Sequence, residues 1–317
     1  MLRNILLGVA AIIVAALCGA YFAFDQPDIP RRLLEAKYAG VPSQFVVLKD
    51  GARVHYRDRG PRAAPVLVLL HGSNSSLFDW EPWSKILSDR FRVISLDLPG
   101  HGLTGAVANG DYSERGMTVF VEAFADKLGL GRFAIGGNSM GGGVAARFAE
   151  LYPSRVSHLI LVDAHGMESQ LGDRIPLAFR LARLPVVNRL LLHITPRSMV
   201  AEGLNSAVVR KAALTDQMID QYWDFARMTG TRRATLTRFR LPPDDFVRDH
   251  VGAIKAPTLI LWGKEDRLIP VAAAHAWAEA IPGSRLVVYP DTGHLPMEEE
   301  AWESAGNVRT FLGEPAR

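Results

Sequence analysis

Short apolar blocks alternate with segments of helical period along most of this chain. Residues 65–70 read PVLVLL, apolar throughout, which predicts a strand buried on both faces. Residues 91–96, 132–137, 156–162, 258–262 and 285–289 repeat that signature. Helical periods predict helices near 118–128, over 140–151, near 271–280 and over 298–312. Residues 44–48 and 53–58 flank Asp50-Gly51 and predict a hairpin. Strands alternating with helices imply an α/β fold with a mostly parallel sheet of about eight strands, covered by helices on both faces.

Two segments break the rhythm. Residues 5–24 form an apolar run of 20 residues without charge, preceded by Arg3 and followed by Asp25 and Asp28. At 1.5 Å per residue the run spans about 30 Å, the thickness of a bilayer core. A retained signal anchor is the expected reading. A cleaved signal peptide and a lipoprotein signal at Cys18 are its rivals. Arg3 would keep the N-terminus cytoplasmic, anchoring the protein in the inner membrane with its catalytic domain on the extracytoplasmic side. Cleavage would instead release a secreted or periplasmic protein. Residues 25–43, with Pro27, Pro30 and Arg31-Arg32, predict a linker. The second break covers 166–250, helical in pattern and punctuated by prolines, which predicts a helical lid inserted between a first core part at 44–165 and a second at 251–317. Residues 170–240 hold 12 Lys/Arg and 5 Asp/Glu, whereas the whole chain carries only +3, so the positive charge is concentrated there.

The 317 residues, 48% hydrophobic and 22% charged, suffice for one large core. The small net charge does not suggest a nucleic-acid partner. The single cysteine excludes an intramolecular disulfide.

Chemistry concentrates at loops that follow the predicted strands. Gly137-Asn138-Ser139-Met140-Gly141 fits G-x-S-x-G between a buried strand and a helix rich in small residues. A nucleophile on such a sharp turn needs small neighbours, and the helix start beneath it offers N–H groups to an oxyanion. Ser139 is therefore the candidate nucleophile. His71-Gly72 follows the 65–70 strand, so the N–H groups of Ser73 and Met140 are the candidate oxyanion hole, with His71 in a structural role. Asp291-Thr292-Gly293-His294 follows the last strand and puts His294 on a loop as candidate general base. Asp266 is the candidate orienting acid, with Asp163 and Glu265 as rivals. Asn138, Trp223 and Phe225 are candidate substrate-binding residues, although Trp223, Phe225 and Met228 fit a helix core equally well. No H-x-x-x-H pair is present, and this chemistry requires no metal or organic cofactor.

His71-Gly72, Asp97-Leu98-Pro99-Gly100-His101-Gly102, Gly137 to Gly142, Asp266 and Asp291 to His294 together resemble the α/β-hydrolase superfamily over about residues 44–312. Within it, HGSNSS, DLPGHGLTG and GGNSMGGG are similar to lid-bearing bacterial esterases and lipases, which implies a carboxylic ester hydrolase acting on small-molecule or lipid esters. GNSMGG also resembles the meta-cleavage-product hydrolases, which cut a C–C bond with the same triad. Ser73-Asn74-Ser75 departs from their longer Gly-Pro-containing loop. Ser139 argues against haloalkane dehalogenases and epoxide hydrolases, which carry Asp there. A third reading is an inactive hydrolase fold that only binds ligands. In the lid, Leu177, Phe179, Leu181, Leu184, Val186, Val187 and 190–192 alternate with Arg174, Arg180, Arg183 and Arg189; they suit either a membrane surface or a buried pocket with a solvated basic face.

Overall fold

A computed structural model describes residues 25–167, 192–241 and 249–313, together with the isolated positions Gly8, Ile12, Ala15 and Gly19. Eight strands form one sheet: β1 (Ser43–Val47), β2 (Arg53–Arg59), β3 (Val66–Leu70), β4 (Arg92–Leu96), β5 (Phe133–Asn138), β6 (Val156–Val162), β7 (Thr258–Gly263) and β8 (Arg285–Tyr289). Their spatial order is β1-β2-β4-β3-β5-β6-β7-β8. β2 pairs antiparallel with both β1 and β4, and every pair from β4 to β8 is parallel.

The apolar blocks are continuous because the sheet is covered twice. Val68, Leu70, Ile94, Leu96, Ile135 and Leu161 face one layer with Phe124, Phe148 and Trp277. Those side chains come from α3 (Glu114–Lys127), α4 (Met140–Leu151) and α8 (Ala272–Ala280). The alternate residues Leu67, Leu69, Val93, Ile160 and Val162 face Trp83, Val308 and Phe311, from α2 (Glu81–Leu87) and α9 (Ala301–Gly313). Trp83 Nε1 donates to Ser304 Oγ at 2.8 Å and ties α2 to α9. Local signals fix the helix starts: Ser113 caps α3 by accepting from Gly116 N–H, and α2 begins with Pro82 in its first turn.

Between β6 and β7 the described part of the insertion folds into α5 (Arg197–Ala207), α6 (Asp216–Ala226) and α7 (Thr231–Arg240). The basic, leucine-rich stretch over 174–191 lies outside the described residues, as does the Pro242-Pro243 pair. Residues 31–38, expected within a linker, instead form α1 (Arg31–Tyr38). Pro30 presets the backbone ahead of its first turn, and Leu34 is buried against Leu103, Phe225 and Met228. The helix is thus held by packing on the insertion, which a short local sequence pattern does not reveal. The apolar run at 5–24 falls outside the described residues apart from its four isolated positions; among the described residues, no helix is long and apolar enough to cross a membrane. The expected transmembrane helix is therefore not part of the described fold.

The loop after β4 is fixed by Asp97, which is completely buried. Its Oδ2 takes His55 Nδ1 at 2.6 Å and Leu103 N–H at 2.7 Å, and its Oδ1 takes Leu77 N–H at 2.8 Å. Burial alone would raise its pKa, but the adjacent His55, His71 and Leu77 N–H bring it below the ordinary value. Asp97→Ala would strand those donors in the interior. Urea unfolding should show a loss of about 3–5 kcal/mol; a loss under 1 kcal/mol would show that the loop has other support.

Candidate active site

Ser139 stands between β5 and α4 at φ 52°, ψ −120°, a region that a residue with a Cβ rarely occupies. Close packing imposes it. A Cβ on Gly137 would lie 2.1 Å from the Gly141 carbonyl oxygen, so β5 can run into α4 this tightly only with glycine there. Ser139 N–H donates to Val162 O at 3.0 Å, and its carbonyl accepts from Gly142, Gly143 and His165 N–H groups at 2.9–3.2 Å. The backbone is clamped on both sides while the residue stays partly accessible.

The neighbouring loop closes in from β3. A Cβ on Gly72 would sit 3.4 Å from Ser139 Cβ, so the 71–75 loop packs directly on the elbow. Leu98 N–H donates to His71 Nε2 at 3.0 Å, which leaves the proton on Nδ1, 2.7 Å from Gly72 O. Burial lowers the His71 pKa, which keeps this bracing imidazole neutral. Among the described residues, neither Ser73 N–H nor Met140 N–H finds a protein acceptor. Met140 follows Ser139 in the chain, and Ser73 follows Gly72, which packs on it.

On the opposite side, β7 and the loop after β8 supply the acid and the imidazole. A Cβ on Gly263 would come within 1.8 Å of Gly293 O, so only glycine lets these segments touch. His294 Nδ1 lies 2.7 Å from Asp266 Oδ2. Asp266 Oδ1 accepts from Leu268 and Ile269 N–H groups at 2.7 and 3.1 Å. With its Nδ1 proton held by the carboxylate, the imidazole presents Nε2 as an acceptor. Asn138 Nδ2 donates to His294 O at 3.0 Å and to Val162 O at 3.2 Å. The candidate substrate residue Asn138 is thus fully buried and bonds the elbow strand to the histidine loop. Glu299 links that loop to the insertion, accepting from Gly293 N–H at 2.9 Å and from Val209 and Arg210 N–H groups at 2.7 and 2.8 Å.

Asp163, the rival acid, lies close to Asp266. Oxygens of both carboxyls and a His294 ring nitrogen fall within 4.8 Å of one another, the one grouping among the described residues close enough to hold a cation. Two of its members are already hydrogen-bonded to each other. Burial, then the Asp266 charge, pushes the Asp163 carboxyl well above its usual range, while Asp163 Oδ1 accepts from Gly263 N–H at 3.0 Å.

Of the other candidate substrate residues, Phe225 packs on Tyr38 and Phe78 at 4.9 and 5.8 Å between ring centres. Trp223 donates to Thr195 O at 2.7 Å and lies under the Arg227 guanidinium. Phe225 thus packs the insertion onto α1 and the core, and Trp223 joins parts of the insertion to each other. Two groups beside the site went unread in the sequence. Buried Asp79 accepts from Ser75 Oγ, and from Tyr222 OH at 2.8 Å, joining the 71–75 loop to α6. Arg238 Nη2 in α7 donates to Ser73 Oγ. Asp79 and Arg238 gave no signal, because their partners are 143 and 165 residues away in the chain.

The family model described as alpha/beta hydrolase fold matches residues 65–301. The chain belongs to the α/β-hydrolase family. The hydrolase is 31% identical over 289 residues to a 2-hydroxy-6-oxononadienedioate/2-hydroxy-6-oxononatrienedioate hydrolase of Cupriavidus pinatubonensis, covering 86% of this chain and 95% of that one. Among solved structures it is similar to a bacterial membrane phospholipase A, with TM-score 0.72, 25% identity and 98% of each chain covered. A putative lipase of Acinetobacter baumannii gives TM-score 0.75 at 25% identity, over 91% of this chain and 97% of that one.

Burial raises the Asp79 pKa to about 6, against the opposing pull of Ser75 and Tyr222. The folded hydrolase therefore holds this proton more tightly than the unfolded chain does. Between about pH 4 and 6, Asp79 takes stability away as pH rises, and above that the loss is constant. Asp79→Asn removes the titration, so denaturant melts should show its stability gaining on wild type across that window. Parallel stability–pH curves would contradict the assignment.

Proposed function

We propose that this hydrolase cleaves carboxylic esters through an acyl-enzyme on Ser139. The observation that carries the reading is the 2.7 Å Asp266–His294 contact on a loop that Asn138 bonds to the strand leading into a serine held in a strained turn. His294 Nε2 takes the Ser139 proton as Oγ attacks the ester carbonyl carbon. The oxyanion is received by the N–H groups of Ser73 and Met140, each worth about 3 kcal/mol of barrier. The intermediate collapses, the C–O bond breaks, and His294 returns the proton to the leaving alcohol. Water, deprotonated by the same imidazole, then releases the acid and restores Ser139.

Cleavage of a C–C bond in a dienoate is the second reading, favoured by the 31% identity to the dienedioate hydrolase. The short Gly72-Ser73-Asn74-Ser75 loop favours the ester. We further propose that the insertion above the sheet acts as the lid and that residues 5–24 anchor the enzyme, with its catalytic domain outside the inner membrane. The uncharged run and the likeness to a membrane phospholipase A over 98% of both chains support the anchor. Lipid esters are then natural substrates.

Ser139→Ala should lower p-nitrophenyl ester turnover at least about 10,000-fold, with an unaltered circular-dichroism spectrum. Unchanged turnover would sink the proposal, and faster turnover of a chromogenic dienoate than of any ester would favour C–C cleavage. Removing residues 1–30 should abolish flotation with liposomes; undiminished flotation would contradict the anchor.

A further inference from the structure

The insertion is rich in arginine, and its described arginines divide into two kinds. Arg197 pairs with Asp216 and Asp220, Arg210 with Glu300, Arg227 with Asp224 and Arg232 with Asp28. Arg233 and Arg240 are exposed to water. Arg238 fits neither group. Among the described residues no carboxylate contacts it. Its Nε is buried without a partner, and Nη2 is spent on the neutral hydroxyl of Ser73. Phe239 stacks beside it, with the guanidinium carbon 4.5 Å from the ring centre.

Its surroundings strip enough water from the guanidinium to lower its pKa to about 10, yet the residue keeps some accessible surface. Its contact with Ser73 places the guanidinium beside the elbow, because Ser73 follows Gly72, which packs on Ser139. The positive field also reaches His71 and His101, whose protonated forms it disfavours. A guanidinium stripped of water with no carboxylate partner among the described residues is costly, and an anion entering beside Ser139 would remove that cost.

We propose that Arg238 is a binding residue for an oxyanionic group, carboxylate or phosphate, carried by the substrate next to its scissile bond. This inference rests on the ester-hydrolase reading and narrows it to anionic esters. The planar guanidinium donates to two oxygens in parallel, which a point charge does not. Arg238 therefore selects substrate, while its contact with Ser73 Oγ keeps the oxyanion loop in register with the bound group.

The test compares matched ester pairs in wild type, Arg238→Met and Arg238→Lys. For carboxylate the pair is p-nitrophenyl butyrate and p-nitrophenyl hydrogen glutarate. For phosphate it is monobutyrylglycerol and its phosphate monoester. In at least one pair, the anionic-to-neutral ratio of kcat/KM should fall about 10–100-fold in Arg238→Met and recover in part in Arg238→Lys. The pair that responds identifies the anion. A ratio that stays constant in both pairs, with all rates falling together, would mean that Arg238 only braces the loop and would overturn the proposal. Calorimetry on Ser139→Ala with glutarate and with inorganic phosphate separates this from the ester reading. If wild type hydrolyses no ester, that reading fails, and the anion site then stands on about 10-fold weaker binding when Met replaces Arg238. Equal binding overturns the anion site.

Discussion

The backbone of Ser139 is held at φ 52° against its own preference, and much of the fold serves that constraint. β5 must end and α4 must begin within one residue. This is possible because Gly137 and Gly141 let backbone lie on backbone, and because β3 and β6 on either side of β5 fix where the turn emerges. The serine is pre-positioned at the cost of local strain, which the buried sheet repays through its packed faces.

Three separate strand ends then deliver their groups to that point. β3 brings the 71–75 loop, braced by His71 and Asp97. β7 brings Asp266, whose two oxygens are occupied by backbone N–H groups and by His294. β8 brings His294 itself, bonded through its backbone to Asn138 and to Ala207. Asp163 and Asp266 lie together beside the imidazole, burial and the neighbouring charge raising the Asp163 pKa, while Arg238 reaches the Ser73 hydroxyl in the 71–75 loop.

Most of this frame was legible in the sequence because it rests on local signals. Unbroken apolar blocks mark strands covered on both faces, and strand-end glycines mark where Ser139 and His294 must sit. α1 escaped notice because its helix is stabilised by Phe225 and Met228, nearly 200 positions away. Asn138, Trp223 and Phe225 are candidate substrate contacts by type and neighbourhood, and the structure adds the links each makes: Asn138 to the histidine loop, Trp223 to Thr195 and Phe225 to Tyr38 and Phe78. Asp79 and Arg238 were invisible for the converse reason: an aspartate in a short loop and an arginine among twelve basic residues look ordinary until folding removes their water. Burial is a tertiary property, and the unusual chemistry of these two groups follows from it.

The central claim is that the constrained Ser139 Oγ becomes covalently acylated. Acid quench of p-nitrophenyl acetate turnover within the first cycle, followed by peptide mass analysis, tests it directly. The acetyl group should appear on the peptide containing Ser139 and accumulate with a burst of nitrophenol. Turnover without any adduct, or acetylation of another residue, would contradict the account.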